Sequence, residues 1–101
     1  MSDAQPVQIQ IDIDEVTSQG MYSNLALMAH NETEFVLDFV FIQPQAPKAK
    51  VRARILSNPI HTKRLLQALQ ENIRRYEEKF GEIKMSTGPE KQDSQYQGHH
   101  L

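Results

Sequence analysis

An alternation of apolar and polar side chains near the start of the chain predicts a β-strand over residues 7–14. Every second residue there is a valine or isoleucine, and the residues between them are glutamines or aspartates. A repeat of two places all the apolar side chains on one face of a strand. We therefore expect this strand to bury one face and to expose the other to water.

Three further apolar stretches predict three more strands, over about residues 21–30, 34–43 and 50–56. The middle stretch, 34–43, carries three phenylalanines and a leucine on one face, which is typical of a strand covered by another element. Polar or proline-containing breaks separate the stretches, and short breaks favour pairing between neighbours in sequence. The four stretches together predict an antiparallel β-meander of about four strands.

A long helix is predicted over about residues 59–80. Asn58 suits the N-cap, Pro59 suits the first helical position, and Gly81 suits the end of the helix. On its polar side, Glu71 with Arg75 and Arg74 with Glu78 have the spacing of ion pairs. An apolar stripe with helical spacing runs along it, composed of Leu65, Leu66, Leu69, Ile73, Tyr76, Phe80 and Ile83. The sequence thus predicts an α+β fold in which one long C-terminal helix packs on the sheet.

The length of 101 residues suits a single domain, which we place at residues 7–83. Residues 1–6 are expected to be a flexible lead, and residues 84–101 a disordered polar tail. The chain has no cysteine, which excludes disulfides and thiol chemistry. The first residues lack the features of a signal peptide, and no apolar run approaches the roughly 20 residues of a membrane span. These features predict a cytoplasmic protein that makes no membrane contact.

Charge is divided unevenly along the chain. Residues 1–47 contain seven acidic residues and no lysine or arginine, whereas residues 48–75 contain eight basic residues and one acidic residue. One interpretation is a surface that binds nucleic acid, since clustered cations bind phosphates. The other is neutralisation of Arg52 and Arg54 by Asp12 and Asp14, in the same chain or in a second copy. The candidate nucleic-acid-binding residues are Lys48, Lys50, Arg52, Arg54, Lys63 and Arg64, of which the three at 50, 52 and 54 are expected to share one strand face.

Catalytic motifs are not found: the chain has no phosphate-binding loop, dinucleotide fingerprint, nucleophile elbow or zinc-protease motif. One interpretation places His30 and Asp38 opposite each other across the second hairpin, with Ser23 nearby to complete a nucleophilic triad. The alternative is structural, because a buried carboxylate must be hydrogen-bonded or paired. We expect the structural role, no catalytic residue, no cofactor and no metal. The candidate structural cluster consists of Tyr22, Ser23, Asn24 and Asp38.

Four groups of residues carry a resemblance to a known family. They are Tyr22-Ser23-Asn24, then Phe35 to Phe39 (Phe-Val-Leu-Asp-Phe), then Asn58 to Leu66 (Asn-Pro-Ile-His-Thr-Lys-Arg-Leu-Leu), and finally Leu69, Asn72, Tyr76-Glu77 and Phe80-Gly81. Over about residues 9–83 the chain resembles the bacterial and archaeal domain of unknown function 3467. The resemblance implies a small stand-alone prokaryotic protein, and it transfers no catalytic or ligand-binding residue.

Three functional hypotheses follow. The first is a non-enzymatic interaction module that forms a homodimer and has a possible protein partner, because a thin domain with one apolar helix stripe needs a covering surface. The second is a single-stranded nucleic-acid-binding protein that uses the basic residues. The third, which we favour least, is an enzyme with a site near His30 and Asp38.

Overall fold

The computed structural model describes residues 7–45 and 47–86. The predicted lead at residues 1–6 and most of the predicted polar tail, from residue 87 on, lie outside the described residues. The elements are α1 (Glu15–Ser18), β1 (Leu25–His30), β2 (Phe35–Ile42), β3 (Ala49–Ser57) and α2 (Pro59–Phe80). The predicted α+β class is confirmed, with a sheet of three strands rather than about four.

The sheet is an antiparallel meander in the order β1-β2-β3. Its first hairpin is closed by Asn31, whose Oδ1 accepts the backbone N–H groups of Thr33 and Glu34, each at 2.9 Å. An asparagine side chain that mimics a backbone turn in this way favours a tight hairpin. The predicted strands 34–43 and 50–56 are confirmed, and the predicted strand 21–30 is confirmed only from Leu25 onward.

The ladder register assigns the side chains of β2 to two faces. Leu37 lies opposite Met28 on β1 and Ile55 on β3, whereas Asp38, one residue further, projects to the other face beside Arg54. We call the first the helix face, because the start of α2 lies against it, and the second the outer face. The helix face of β2 carries Phe35, Leu37, Phe39 and Phe41, and the outer face carries Val36, Asp38, Val40 and Ile42.

A β-bulge interrupts the pairing of β2 with β3. Phe39 pairs with Ala53, but the next residue, Val40, pairs with Val51, so Arg52 has no partner in the ladder. Side chains normally alternate between the two faces of a sheet. One extra residue on one strand reverses this alternation beyond the bulge relative to the alternation before it. On β3, even-numbered positions before Arg52 and odd-numbered positions after it therefore lie on the same face of the sheet.

The prediction that residues 7–14 form a strand of the sheet is wrong. The segment forms no regular element, within the described residues it pairs with no strand, and its four apolar side chains are 65–87% exposed. The chain then forms α1, a single helical turn not expected from the sequence, which is capped by Asp14 accepting the N–H of Thr17 at 3.4 Å. Alternation identifies an amphipathic strand, but it does not identify the sheet edge that the strand needs.

Helix α2 has the predicted bounds. Asn58 Oδ1 accepts the N–H of His61 at 2.7 Å, and the helix ends at Gly81, whose φ of 95° favours glycine. The predicted packing of the helix on the sheet is incomplete, because no residue of α2 is buried. In the described part of the chain, the buried apolar side chains are Leu37 and Val40 of β2. A single copy thus has a very small core.

Candidate interaction surfaces

The apolar stripe of α2 is the largest exposed apolar feature of the helix. Its side chains are 40–65% exposed. From Leu66 to Phe80 its members recur at alternating steps of three and four residues, the spacing of a coiled-coil seam, and Ile83 follows the end of the helix at Gly81. Such a seam is shaped to receive the side chains of another helix. We call this set the α2 stripe: Leu65, Leu66, Leu69, Ile73, Tyr76, Phe80 and Ile83.

A groove of about 460 Å³ separates the first turns of α2 from the helix face of the sheet. The sheet contributes Met28, Phe35 and Leu37 to its lining, and the α2 stripe contributes its first members, Leu65 to Leu69. The two apolar surfaces face one another without closing into a core. The groove therefore continues the exposed apolar surface of the stripe onto the sheet.

The opposite side of α2 is a network of surface ion pairs. Arg74 binds Glu78 and Glu71, each at 2.7 Å, and Arg75 binds Glu71 at 3.0 Å, which confirms the two predicted pairs. The hydrogen bond from Arg74 lowers the pKa of Glu71 to about 2. This side of the helix satisfies its own charges in water, and within residues 7–45 and 47–86 the α2 stripe is the side left exposed.

Residues 7–14, which we call the N-terminal extension, form a second exposed apolar surface. Their polar side is held locally: Gln10 Nε2 donates to Asp12 Oδ1 at 3.2 Å, and Asp14 caps α1. The hydrogen bond to Thr17 keeps the pKa of Asp14 below its usual value. The extension thus carries exposed apolar side chains that alternate with polar ones, including Asp12 and Asp14, while its backbone pairs with no strand of the described residues.

Asp38 is the most deeply buried charged group among the described residues, with none of its surface exposed. Arg54 binds both of its oxygens, through Nε to Oδ1 at 2.8 Å and through Nη2 to Oδ2 at 2.7 Å. This two-point geometry is the strongest form of carboxylate binding by arginine. The predicted pairing of Arg54 with Asp12 or Asp14 within one chain is therefore wrong. The buried carboxylate takes the guanidinium, because an unpaired buried charge would be costly.

Ser23 and Asn24 extend the sheet beyond the start of β1. Ser23 Oγ donates to the carbonyl of Val40 at 3.0 Å. Asn24 accepts the N–H of Ile42 at 2.9 Å through Oδ1 and donates to the carbonyl of Ile42 at 3.1 Å through Nδ2. These side chains occupy backbone groups of β2 that β1 does not reach. Their role in the predicted polar cluster is therefore to complete the pairing of β2.

A basic and aromatic cluster lies at the end of the sheet beside the bulge. The guanidinium of Arg52 is 5.4 Å from the ring centre of Phe41, and the ring of Tyr22 meets the same ring at 6.0 Å. Lys50 pairs directly with Phe41 in the ladder. Arg54, by contrast, is on the outer face with Asp38. The prediction that residues 50, 52 and 54 share one basic face is therefore wrong, because the bulge turns Arg54 to the outer face.

The other predicted bases lie elsewhere. Lys48 precedes β3, and Lys63 and Arg64 belong to the first turns of α2. All three are exposed, and none binds a carboxylate among the described residues. The structure thus divides the six candidate bases among the bulge cluster, the buried pair and the start of the helix.

The residues of the catalytic hypothesis do not converge. His30 pairs with Phe35 and stacks on its ring at 5.2 Å, on the helix face. Asp38 projects to the outer face, where Arg54 binds it, and Ser23 donates to backbone carbonyls. The expectation that His30 and Asp38 face each other is wrong, because the hairpin register separates them by three positions and places them on opposite faces.

Among residues 7–45 and 47–86, no three histidine or carboxylate side chains come together as a metal site. Neither described helix combines the length and the apolar character needed to cross a membrane.

Two features of these surfaces were missed from the sequence. The seam spacing of the α2 stripe is visible in the residues themselves, and counting its steps would have revealed it. The bulge at Arg52 has no comparable signal, because neither glycine nor proline marks it. The partner of Asp38 was therefore hidden by an apparently regular strand.

Comparisons with known proteins add one finding. The chain matches the family described as Protein of unknown function (DUF3467) over residues 1–85. Neither the curated proteins nor the solved structures provide a match. The family match covers most of the chain and includes every element of the structure, in agreement with the resemblance carried by the motifs from Tyr22 to Gly81. The chain therefore belongs to the DUF3467 family of proteins of unknown function.

Proposed function

We propose that this protein is a non-enzymatic interaction module that works as a homodimer. The observation that carries the proposal is the α2 stripe, a coiled-coil seam whose side chains are 40–65% exposed in a single copy. A helix with an apolar stripe is stabilised mainly by covering that stripe. The second copy of the chain is the occupant that we propose for it.

The small core of one copy supports the proposal. Folding must overcome roughly 1–2 kcal/mol of backbone entropy per ordered residue. In the described residues, this is opposed by only two buried apolar side chains, Leu37 and Val40, together with partly buried ones. Domains of this size often rely on oligomerisation when their own core is insufficient.

The exposed area is also of the right size. With about 150–200 Å² for each large apolar side chain, the half-exposed stripe offers roughly 500–700 Å² of apolar surface. A standard interface buries about 800 Å² per partner. The groove beside the stripe, lined by Met28, Phe35 and Leu37, supplies further apolar surface. Stripe and groove together therefore meet the area that a stable dimer needs.

A second copy fits because the seam is complementary to itself. A two-fold axis brings the same patch of both copies together, so each stripe would fill the spaces between side chains of the other. The ion pairs of Glu71, Arg74 and Arg75 lie on the opposite side of the helix and would stay in water. Association therefore requires no buried charge from this network.

Sedimentation equilibrium of the full chain tests the proposal. We expect a dimer at micromolar concentration, which Leu69→Glu should weaken at least a hundredfold by placing a charge in the seam. The matched control is Gln67→Glu, on the opposite side of the helix, which should leave the dimer unchanged. A wild-type protein that is folded and monomeric at these concentrations would contradict the proposal.

Single-stranded nucleic-acid binding is a second candidate, favoured by the cluster beside the bulge. Tyr22 is 71% exposed next to Phe41, and within the described residues Lys50 and Arg52 bind no carboxylate. Exposed rings beside cations are the features on which unpaired bases stack. This cluster replaces the regular basic strand face as the basis of the hypothesis.

Fluorescence anisotropy with labelled single-stranded DNA and RNA tests this candidate. Binding should fall steeply between about 50 and 200 mM salt. Arg52→Glu should weaken it, whereas the control Lys84→Glu, a charge change away from the cluster, should not. No binding at the lower salt concentration would reject this candidate and leave the dimer proposal unaffected.

A further inference from the structure

We infer that the N-terminal extension of one copy pairs as a fourth strand with the free edge of β3 in a second copy. This inference rests on the proposed dimer and adds a specific exchange of strands to it. It also accounts for residues 7–14, which have the alternating sequence of a strand but pair with no strand among the described residues.

The free edge of β3 is open to such pairing. Among the strands of the described residues β3 ends the sheet, and most of its nine residues are exposed. Val51, Ile55 and Leu56 leave about half of their surface in contact with water. A long, exposed edge with apolar side chains is a template for another strand. The extension, at eight residues, has a length that matches this edge.

The two faces of the extension match the two faces of β3. Val51 and Leu56 project to the outer face and would meet the apolar side of the extension. Lys50 and Arg52 lie on the helix face near Phe41 and would meet the acidic side, which carries Asp12. Neighbouring strands favour opposite charges side by side and apolar side chains side by side. One orientation of the extension satisfies both preferences at Lys50, Val51, Arg52 and Leu56, whereas Ile55, on the helix face, would lie beside the polar side of the extension.

The edge at β1 offers no such match. β1 is six residues long and contains no lysine or arginine that could pair with the acidic side of the extension. Ser23 and Asn24, which precede it, already use their side chains to bind the backbone of β2. Charge and length therefore select β3.

Complementary charge reversal distinguishes pairing between copies from pairing within one chain. In the first variant, Asp12→Lys makes the extension repel the bases of β3. In the second, Lys50→Glu with Arg52→Glu makes β3 repel the extension. Each variant alone places like charges together, and we expect its self-association to weaken about tenfold. In an equal mixture, each extension meets an oppositely charged β3 of the other variant, so mixed dimers should form with wild-type affinity.

Sedimentation equilibrium with one variant fluorescently labelled measures all of these affinities. Glu32→Lys, in the hairpin loop, is the control that makes the same charge change elsewhere, and it should self-associate like the wild type. Weakened variants that the mixture does not restore would assign the pairing to a single chain and overturn the inference. A wild-type dimer that neither variant weakens would also overturn it, while leaving the dimer proposal in place. A monomeric wild type would instead overturn both.

Discussion

Removing Arg54 should strongly destabilise the fold, because Asp38 has no exposed surface and depends on this arginine for a two-point ion pair. Breaking a buried ion pair by removing one partner costs about 3–5 kcal/mol. The side chain of Arg54 is 36% exposed, so water partly screens the pair, and we lower the expected cost of Arg54→Ala to about 2–4 kcal/mol. Asp38→Ala should cost less, because the arginine left behind can reach water.

Urea unfolding followed by circular dichroism measures these losses. All proteins should be compared at one concentration, because association makes the measured stability depend on concentration. The control is Lys48→Ala, just before the same strand, which is exposed, binds no carboxylate among the described residues and should change stability by about 0.5 kcal/mol or less. Replacing both partners, Asp38→Leu with Arg54→Leu, should recover much of the loss, since no buried charge remains.

The reasoning would be refuted by an Arg54→Ala protein that unfolds at the same urea concentration as Lys48→Ala. In that case the carboxylate of Asp38 would be satisfied without the guanidinium. A double replacement less stable than Arg54→Ala would also refute it, because the cost would then come from lost packing and not from the unpaired charge.

Three further predictions concern the helix and the start of β1. The pKa of Glu71 is about 2 in the folded protein and 4.5 without its partners, so its ion pairs stabilise α2 fully above pH 4.5 and are lost as the pH falls towards 2. The helical circular dichroism signal should therefore fall between pH 4.5 and 2, and Glu71→Gln should remove the part of this fall that Glu71 causes. Gly81→Ala should cost about 1 kcal/mol in urea unfolding, because alanine is strained at a φ of 95° while its Cβ would meet no atom within 4 Å; a neutral result would contradict this account. Asn24→Ala should cost about 1–2 kcal/mol by removing both hydrogen bonds to Ile42, and Asn24→Asp, which keeps only the acceptor, should show a smaller loss in the same assay.

Local signals in the sequence were sufficient for the helix and for two of the strands. Asn58, Pro59 and Gly81 define the ends of α2 through their own backbone and side-chain chemistry, so their effect does not depend on distant residues. The apolar alternation of residues 34–43 likewise required only a neighbour in sequence to pair with. Both predictions succeed because the information and the structure it specifies lie close together in the chain.

The sequence was insufficient where an element needs a partner distant in sequence or in another molecule. The extension at residues 7–14 has a strong strand pattern, yet the pattern cannot name its sheet edge. The α2 stripe was expected to be covered by the sheet, and it is half exposed. The candidate site failed for a related reason: Asp38 was correctly expected to need a partner, but the bulge that places Arg54 beside it has no sequence signal.

The bulge also determines how β3 tolerates a change in length. Deleting Arg52 would join Val51 directly to Ala53, and each would keep its present partner on β2, Val40 and Phe39. Deleting an interior residue outside the bulge would instead shift part of the strand and turn side chains to the wrong face. Arg52 is thus a position in β3 where the chain can be shortened by one residue while the Arg54 ion pair keeps its place in the sheet.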